Sequence, residues 1–368
     1  MSSAVPPKSQ AIAPILPTRG LGGSWLLGWA ALALVLVFFF SVPFWVIKPY
    51  VLHMGVLLFL AIIQGQAWNI LGGYAGQHSL GHAAYFGVGA YSTMMLLEVK
   101  HVQPLWGIWV GVLLAAAVSW GVGAITFRLR GPYFVLASIS VAEIVRLLAL
   151  ELKGFTRGAE GFLLSTMPSV QLGPLEIDFI GKRPFYFAAL VVALLTTWLS
   201  WGIRRSKIGY YLLAVREDQD AAHSIGINLQ AYKCLALVLS AACTAWAGGF
   251  YALFVKFIDP DTVFGMDVSV QILLTCIVGG IGTLLGPALG AFLLVPLSEL
   301  LRNPKGLAQL GLIEPDSAFI RVIEERFSNA HSFAYGLLLV VIILFAPEGL
   351  FGVGARLWRR AAARGAKS

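Results

Sequence analysis

The sequence predicts an all-α fold, a polytopic transmembrane helical bundle of about 10 membrane segments. Three observations predict it. Of the 368 residues, 58% are hydrophobic and only 12% are charged. That charge fraction is about half of what a soluble domain carries. Mean hydropathy is +0.81, and several apolar runs reach the roughly 20 helical residues that cross a bilayer.

The first 24 residues read as a tail punctuated by Pro and Gly and holding Lys8 and Arg19. The apolar run after it is longer than the core of a cleaved signal, so a retained span is expected. Candidate spans follow at about 25–47, 50–71, 79–97, 104–127, 132–152, 184–203, 233–255, 269–281, 285–301 and 331–347. The membrane domain is therefore read as 25–352, with a polar loop at 204–232 and a basic tail at 353–368.

Charge sets the sidedness. The net charge is +8, which fits the excess of Lys and Arg in cytoplasmic loops rather than a nucleic-acid surface. With the N-terminal tail inside, alternation puts Arg128 and Arg130 inside, and also Arg204, Arg205 and Lys207. The C-terminal tail, with Arg356, Arg359, Arg360, Arg364 and Lys367, is then expected inside as well. Both termini inside require an even number of crossings. Splitting the run 269–301 at Gly279-Gly280-Ile281-Gly282 supplies it and leaves a short first half, suited to a broken or re-entrant helix. Two outer segments, 153–183 and 302–330, are long enough to cover the outer mouth. Cys234, Cys243 and Cys276 all fall in apolar runs and suggest no disulfide framework.

Gly282, Gly286 and Gly290 recur every fourth residue, a spacing that would place them on one helix face for close packing. None belongs to a phosphate-binding loop. The pattern Gly-x-x-x-x-Gly-Lys-Ser/Thr is absent, so ATP hydrolysis by this chain is not expected.

Polar groups at bilayer depth cost free energy unless partners or water receive them. In GGYAGQHSLGHAAYFGVGAY, the residues Gln77, His78, Ser79 and His82 cluster at the start of a span. His78 and His82 would share a helix face, as zinc ligands can, but no third ligand stands at helical spacing. No metal site is expected, and Gln77, Ser79 and His82 are candidates to line a polar pathway. Glu143 and Arg146 are three apart and are expected to form an intramembrane ion pair. Gln66 and Asn69 are expected to bond a neighbouring helix.

The loop contains VREDQDAAHSIGI, which reads as one short helix. Glu217, Asp218 and Asp220 suit its positive N-terminal end, and Gly226 suits its stop. Ala221 and Ala222 are small, and Ile225 and Ile227 are apolar. Such a helix fits another protein's groove, or it lies as a linker on the membrane surface.

Several of these stretches occur together elsewhere. NILGGYAGQHSLGHAAYFGVGAY, LRGPYFVLASISVAEIVRLL, SKIGYYLLAVREDQDAAHSIGINLQAYK, VGGIGTLLGPALGAFLL and FAPEGLFG resemble, in order, the motifs of the branched-chain amino acid permease family of bacterial ABC importers, in its LivM-type subunit. The resemblance covers about residues 50 to 352. It implies a multi-pass subunit of the bacterial inner membrane that binds no cofactor. ATP would be hydrolysed by separate ATP-binding subunits docked on the loop, with Arg216, Glu217, Asp218, Ala221, Ala222, Ile225 and Gly226 as the coupling residues. A second homologous permease, an extracytoplasmic substrate-binding protein and the surrounding membrane lipid would be the other partners, and nucleic acid none. His78, the RGAEG stretch at 157–161 and the long 302–330 segment depart from the family pattern and bear on substrate or on the docking protein. Relatives of this build import urea, short amides or aromatic acids. Two other classes are an ion-coupled secondary transporter built on Glu143 and an intramembrane enzyme built on His78 and His82.

Overall fold

The computed structural model describes residues 34, 37–45, 48–164, 169–172, 175–179 and 181–302, with 336, 340, 344, 349–352, 354 and 356. The 302–330 segment beyond its first residue, most of the last expected span and nearly all of both tails lie outside the described residues. The chain divides into two compact units, Met1–Ile47 and Lys48–Ser368. In the first, residues 37–45 are helical (α1) and carry exposed Phe38, Phe40, Phe44 and Trp45.

The second unit is helical almost throughout. Its long helices are α2 (Pro49–Trp68), α3 (His82–Lys100), α4 (Pro104–Thr126), α5 (Pro132–Glu151), α7 (Lys182–Arg205), α10 (Leu229–Val255), α12 (Met266–Gly279) and α13 (Gly286–Arg302). Shorter ones are α6 (Lys153–Thr156), α8 (Lys207–Glu217), α9 (Gln219–Ser224) and α11 (Pro260–Phe264). The long helices fall within four residues of the apolar runs. Six stretches among the described residues are long and apolar enough to cross a membrane, Pro260–Gly279 being one of them, and Gly286–Glu299 is a shorter apolar helix. The chain is a polytopic membrane helical bundle.

Local chemistry sets the ends. Proline stands in the first turn of α2, α4, α5 and α11, where its missing N–H costs nothing. Asp259 and Thr262 form a capping box at α11. Asn228 caps α10 by accepting the Ala231 N–H. The run 269–301 is split, as the glycines suggest: α12 stops at Gly279 and α13 starts at Gly286. Upstream, α12 is preceded by α11 with an interruption at Gly265, so that span is broken and begins earlier than expected.

Helix α10 is the central post, packed on α3, α4 and α2. Small residues bring the backbones together: a β-carbon at Gly248 would meet the Phe86 carbonyl, and one at Gly89 the Ala245 carbonyl. Helix α5 is peripheral. It buries Phe134, Ser138, Ala142 and Ala149 and leaves its other side open. Between α5 and α7, Phe162–Leu163 (β1) pairs antiparallel with Phe257–Ile258 (β4), and Ser169–Leu172 (β2) pairs with Leu175–Asp178 (β3).

Candidate functional site

The polar residues gather at one end of the second unit, where α2, the α12–α13 turn and the α8–α9 loop meet. Helix α2 does not stop at Trp68. It widens into a π-helical turn over Asn69–Tyr74 (NILGGY) and then unwinds through 75–81. Side chains near the turn would obstruct the widening. A β-carbon at Gly72 would meet the Trp68 ring, and one at Gly73 would meet the Asn69 amide.

Buried unwound backbone needs partners, and it finds them on neighbouring helices and within the segment itself. Trp68 Nε1 donates to the Ser79 carbonyl at 2.8 Å. The Leu80 N–H donates to Ser138 Oγ of α5 at 2.9 Å, the Gly81 N–H to Ser79 Oγ at 3.2 Å, and the Ala83 N–H to Ser269 Oγ of α12 at 2.9 Å. These hydroxyls satisfy amides at the start of α3 that have no helical partner.

The turn between α12 and α13 is clasped to α2. Gln66 Nε2 donates to the Leu284 carbonyl at 2.7 Å. Asn69 Nδ2 donates to the Thr283 carbonyl at 2.9 Å, while its Oδ1 accepts the Gly282 N–H at 2.8 Å. Gly282 has φ +75°, in the region that favours glycine. It therefore lies in the turn, and the expectation of a shared helix face with Gly286 and Gly290 is corrected. Gly286 and Gly290 do lie on α13, where β-carbons would strike the Gly280 and Thr275 carbonyls.

The loop is two helices rather than the expected one. Asp218 breaks from helical geometry (φ −154°, ψ 113°) and caps α9, accepting the N–H groups of Asp220 and Ala221 at 2.9 and 3.0 Å. Ala222 is buried with Val215 and Ile227 in a small apolar cluster, so it does not belong to the outer face. That face carries Glu217, Asp220, Ala221 and Ile225, the last 76% exposed. Gly226 ends the motif at φ +87°. Arg216 points inward, its Nη1 donating to the Gly73 carbonyl of the π turn at 2.7 Å. Two further bonds pin the loop to the bundle: Arg130 with Asp220 at 2.9 Å, and buried Lys233 donating from Nζ to Gln219 Oε1 at 2.7 Å.

A cavity of about 480 Å³ opens between the unwound segment, the start of α5 and the start of α9. Gly76, Gln77, His78, Pro132, Phe134 and Gln219 are among the residues lining it. Of the three expected pathway residues, Gln77 borders this space, whereas Ser79 and His82 are closed in the core. His82 Nε2 meets Ser240 Oγ at 2.8 Å, and that hydroxyl donates to the Ala67 carbonyl at 2.6 Å. The oxygen therefore accepts from Nε2–H, and Nδ1 is left as a buried acceptor with no bond among the described residues. His78 does not share a helix with His82, because α3 begins only at His82. It stacks on Trp68, with ring centroids 5.8 Å apart and planes 8° apart. One edge of His78 stays open, yet desolvation and then the Arg216 charge hold its pKa below the usual value. Among the described residues no group of three or more His, Cys, Asp or Glu is arranged to hold a metal.

Farther along α5, Glu143 and Arg146 form a two-pronged contact, Nε to Oε2 at 3.0 Å and Nη2 to Oε1 at 2.5 Å. Sequence reasoning missed the third member: Arg146 Nη1 also reaches Asp261 of α11 at 2.5 Å. It also missed Ser138, Ser240, Ser269 and Lys233. Each is a polar residue inside a mostly apolar membrane-spanning helix, which is the signal that could have found them.

Residues 50–346 match the model of a family described as branched-chain amino acid transport system / permease component. The chain is 27% identical over 344 residues to the high-affinity branched-chain amino acid transport system permease protein LivM of Escherichia coli K12, covering 87% of this chain and 74% of that one. It is 22% identical over 303 residues to the corresponding LivH protein of Salmonella typhimurium LT2, covering 77% and 89%. A shorter stretch of 132 residues, 34% of this chain and 37% of the other, is 31% identical to the autoinducer 2 import system permease protein LsrC of Klebsiella pneumoniae.

Proposed function

This chain belongs to the branched-chain amino acid transport system permease family, and from that premise we propose that it carries branched-chain or closely related amino acids across the bacterial inner membrane. It is a permease subunit of an importer. ATP is hydrolysed by separate subunits, and this chain binds no cofactor of its own. A second homologous permease and an extracytoplasmic binding protein complete the assembly. Relatives named for both LivM and LivH support the paired permeases.

The observation that carries the reading is the α8–α9 loop. A flexible linker resting on lipid would need neither a capped break nor a buried cluster of its own. Here Asp218, Ala222 and the Arg130–Asp220 pair fix a short rigid element whose outer face ends in exposed Ile225. A fixed apolar projection with acidic flanks suits a groove on an ATP-binding partner. Closure of two such partners would push on it and bias the bundle between outward- and inward-facing states.

The sidedness follows the same logic. The Arg130–Asp220 bond places the α4–α5 turn at the same end as the loop, and both are rich in arginine, as cytoplasmic segments are. Ten crossings with both termini in the cytoplasm complete this topology. Urea, short amides and aromatic acids are the alternative cargoes. The ion-coupled reading gains nothing from Glu143, whose two oxygens are both taken by Arg146.

The test is purification of the chain in mild detergent with its genomic neighbours, then reconstitution in vesicles. Co-purification of an ATPase and a second permease, with ATP-dependent leucine uptake, is the expected result. A chain that comes off alone and moves solute without ATP would overturn the proposal.

A further inference from the structure

Docking explains what the outer face of the loop is for, but not what the loop moves within the chain. Resting on the docking reading, we propose that Arg216 is a positioning residue that transmits loop displacement to the π-turned end of α2 and to the α12–α13 turn at once.

Arg216 sits one residue before the end of α8 and two before the break at Asp218. Glu217, Ala221 and Ile225 face outward, whereas Arg216 turns into the bundle. Its Nη1 donates to the Gly73 carbonyl at 2.7 Å. That carbonyl lies in the last turn of a helix, where no following amide is in place to receive it. A guanidinium donor makes the bond charge-assisted and directional.

The grip extends beyond one bond. A β-carbon at Gly282 would sit 2.5 Å from the same Nη1, and one at Gly76 would sit 3.0 Å from Arg216 Cγ. Both glycines have positive φ, +75° and +67°. They leave room for the head and stem of a single arginine, so the side chain is enclosed on both sides. Gly282 is in turn bonded to Asn69 on the π turn. Loop, π turn and α12–α13 turn therefore share one rigid joint, and a shift of α8 cannot be absorbed by rotation of the Arg216 stem. Helices α2 and α13 pack on one another, so both receive the displacement.

The experiment uses the full importer complex in vesicles, with Arg216→Met and Arg216→Lys, and reads solute taken up per ATP hydrolysed. Both variants are expected to retain the ATPase subunit, because Arg216 is not on the docking face. Arg216→Met should lower the uptake-to-hydrolysis ratio by about tenfold or more, while Arg216→Lys, which keeps a cationic donor, should lose less than about threefold. A wild-type ratio in Arg216→Met overturns the tether. Loss of the ATPase subunit from that variant also overturns it, since Arg216 would then belong to the docking surface. Should Arg216→Met not fold, amide exchange in the wild-type complex decides. Protection of residues 73–76 and 280–283 should change when the ATPase subunits bind ATP, and unchanged protection overturns the proposal. A wild-type chain that retains no ATPase subunit overturns the docking reading, and the tether with it. Intact coupling in Arg216→Met overturns the tether alone.

Discussion

Asn69 and Gly282 lie 213 residues apart in the chain and meet side chain to backbone, Asn69 Oδ1 accepting the Gly282 N–H at 2.8 Å. The other arm of the same amide donates to Thr283. One planar group thus holds a donor and an acceptor of the turn, while the turn's own Thr283 hydroxyl bonds the Gly280 carbonyl and the Gly286 N–H.

Replacing Asn69 by Ala leaves the buried Gly282 N–H and the Thr283 carbonyl without partners. The expected loss of stability is about 2–3 kcal/mol. Asn69→Asp should lose at least as much, because its carboxylate still accepts from Gly282 but sets a buried charge against the Thr283 carbonyl. Cys276 offers the readout: it is buried, bonds the Gly65 carbonyl at 3.0 Å and reacts with a thiol dye only on opening. Equal dye-labelling midpoints for wild type and Asn69→Ala would refute the clasp.

Neighbouring alanines of the loop should behave differently. Ala222→Trp overfills the cluster with Val215 and Ile227 and should destabilise the loop itself by about 1–3 kcal/mol, seen as faster proteolysis within 207–227. Ala221→Trp should leave proteolysis unchanged while reducing the ATPase subunit recovered with the chain. Equal proteolysis of the two variants would show that the inward and outward faces are misassigned.

Arg146 has two carboxylate partners, so the loss of either leaves it the other. Glu143→Ala and Asp261→Ala should each be mild. The double substitution should cost more than their sum by about 1 kcal/mol, because only then is the cation unpaired on a membrane helix. Thermal unfolding of the four proteins of the cycle measures this, and strict additivity would argue against a shared arginine.

Two glycines separate steric from conformational demands. At Gly290 a β-carbon strikes the Thr275 carbonyl, so Gly290→Ala should cost about 3 kcal/mol by forcing α12 and α13 apart. At Gly131 the space is open but the backbone sits at φ +57°, ψ −129°, and Gly131→Ala should cost about 1–2 kcal/mol from backbone strain alone. The reverse order of unfolding midpoints would contradict the packing described.

Helix positions were legible because hydrophobic length is a local property, readable one run at a time. The split at Gly279–Gly282 was legible too, through charge alternation and glycine density. The clasp was half legible. Gln66 and Asn69 stood out as polar residues in an apolar run, but their partners are backbone atoms over 200 residues away, which leave no mark on composition. Arg216 entered the coupling set through the resemblance, which marks a stretch of chain and not the direction of each side chain. The break at Asp218 resets the phase, sending Arg216 and Ala222 inward. Asp261 was missed because a capping box near a proline reads as a loop, with nothing to show that α5 lies beside it.

The amides at the start of α3 draw their hydroxyl partners from α5 and α12, and one of those bonds spans 186 residues. During synthesis the acceptor on Ser269 does not yet exist when α3 leaves the ribosome. At 5–20 residues per second the wait is roughly 10–40 s. In that interval the Ala83 amide must borrow water or a protein of the insertion machinery, since lipid offers it nothing. The segment that starts α3 is therefore a late-maturing part of biogenesis. A chain stalled before residue 269 would present that unfinished edge to the cell's quality control.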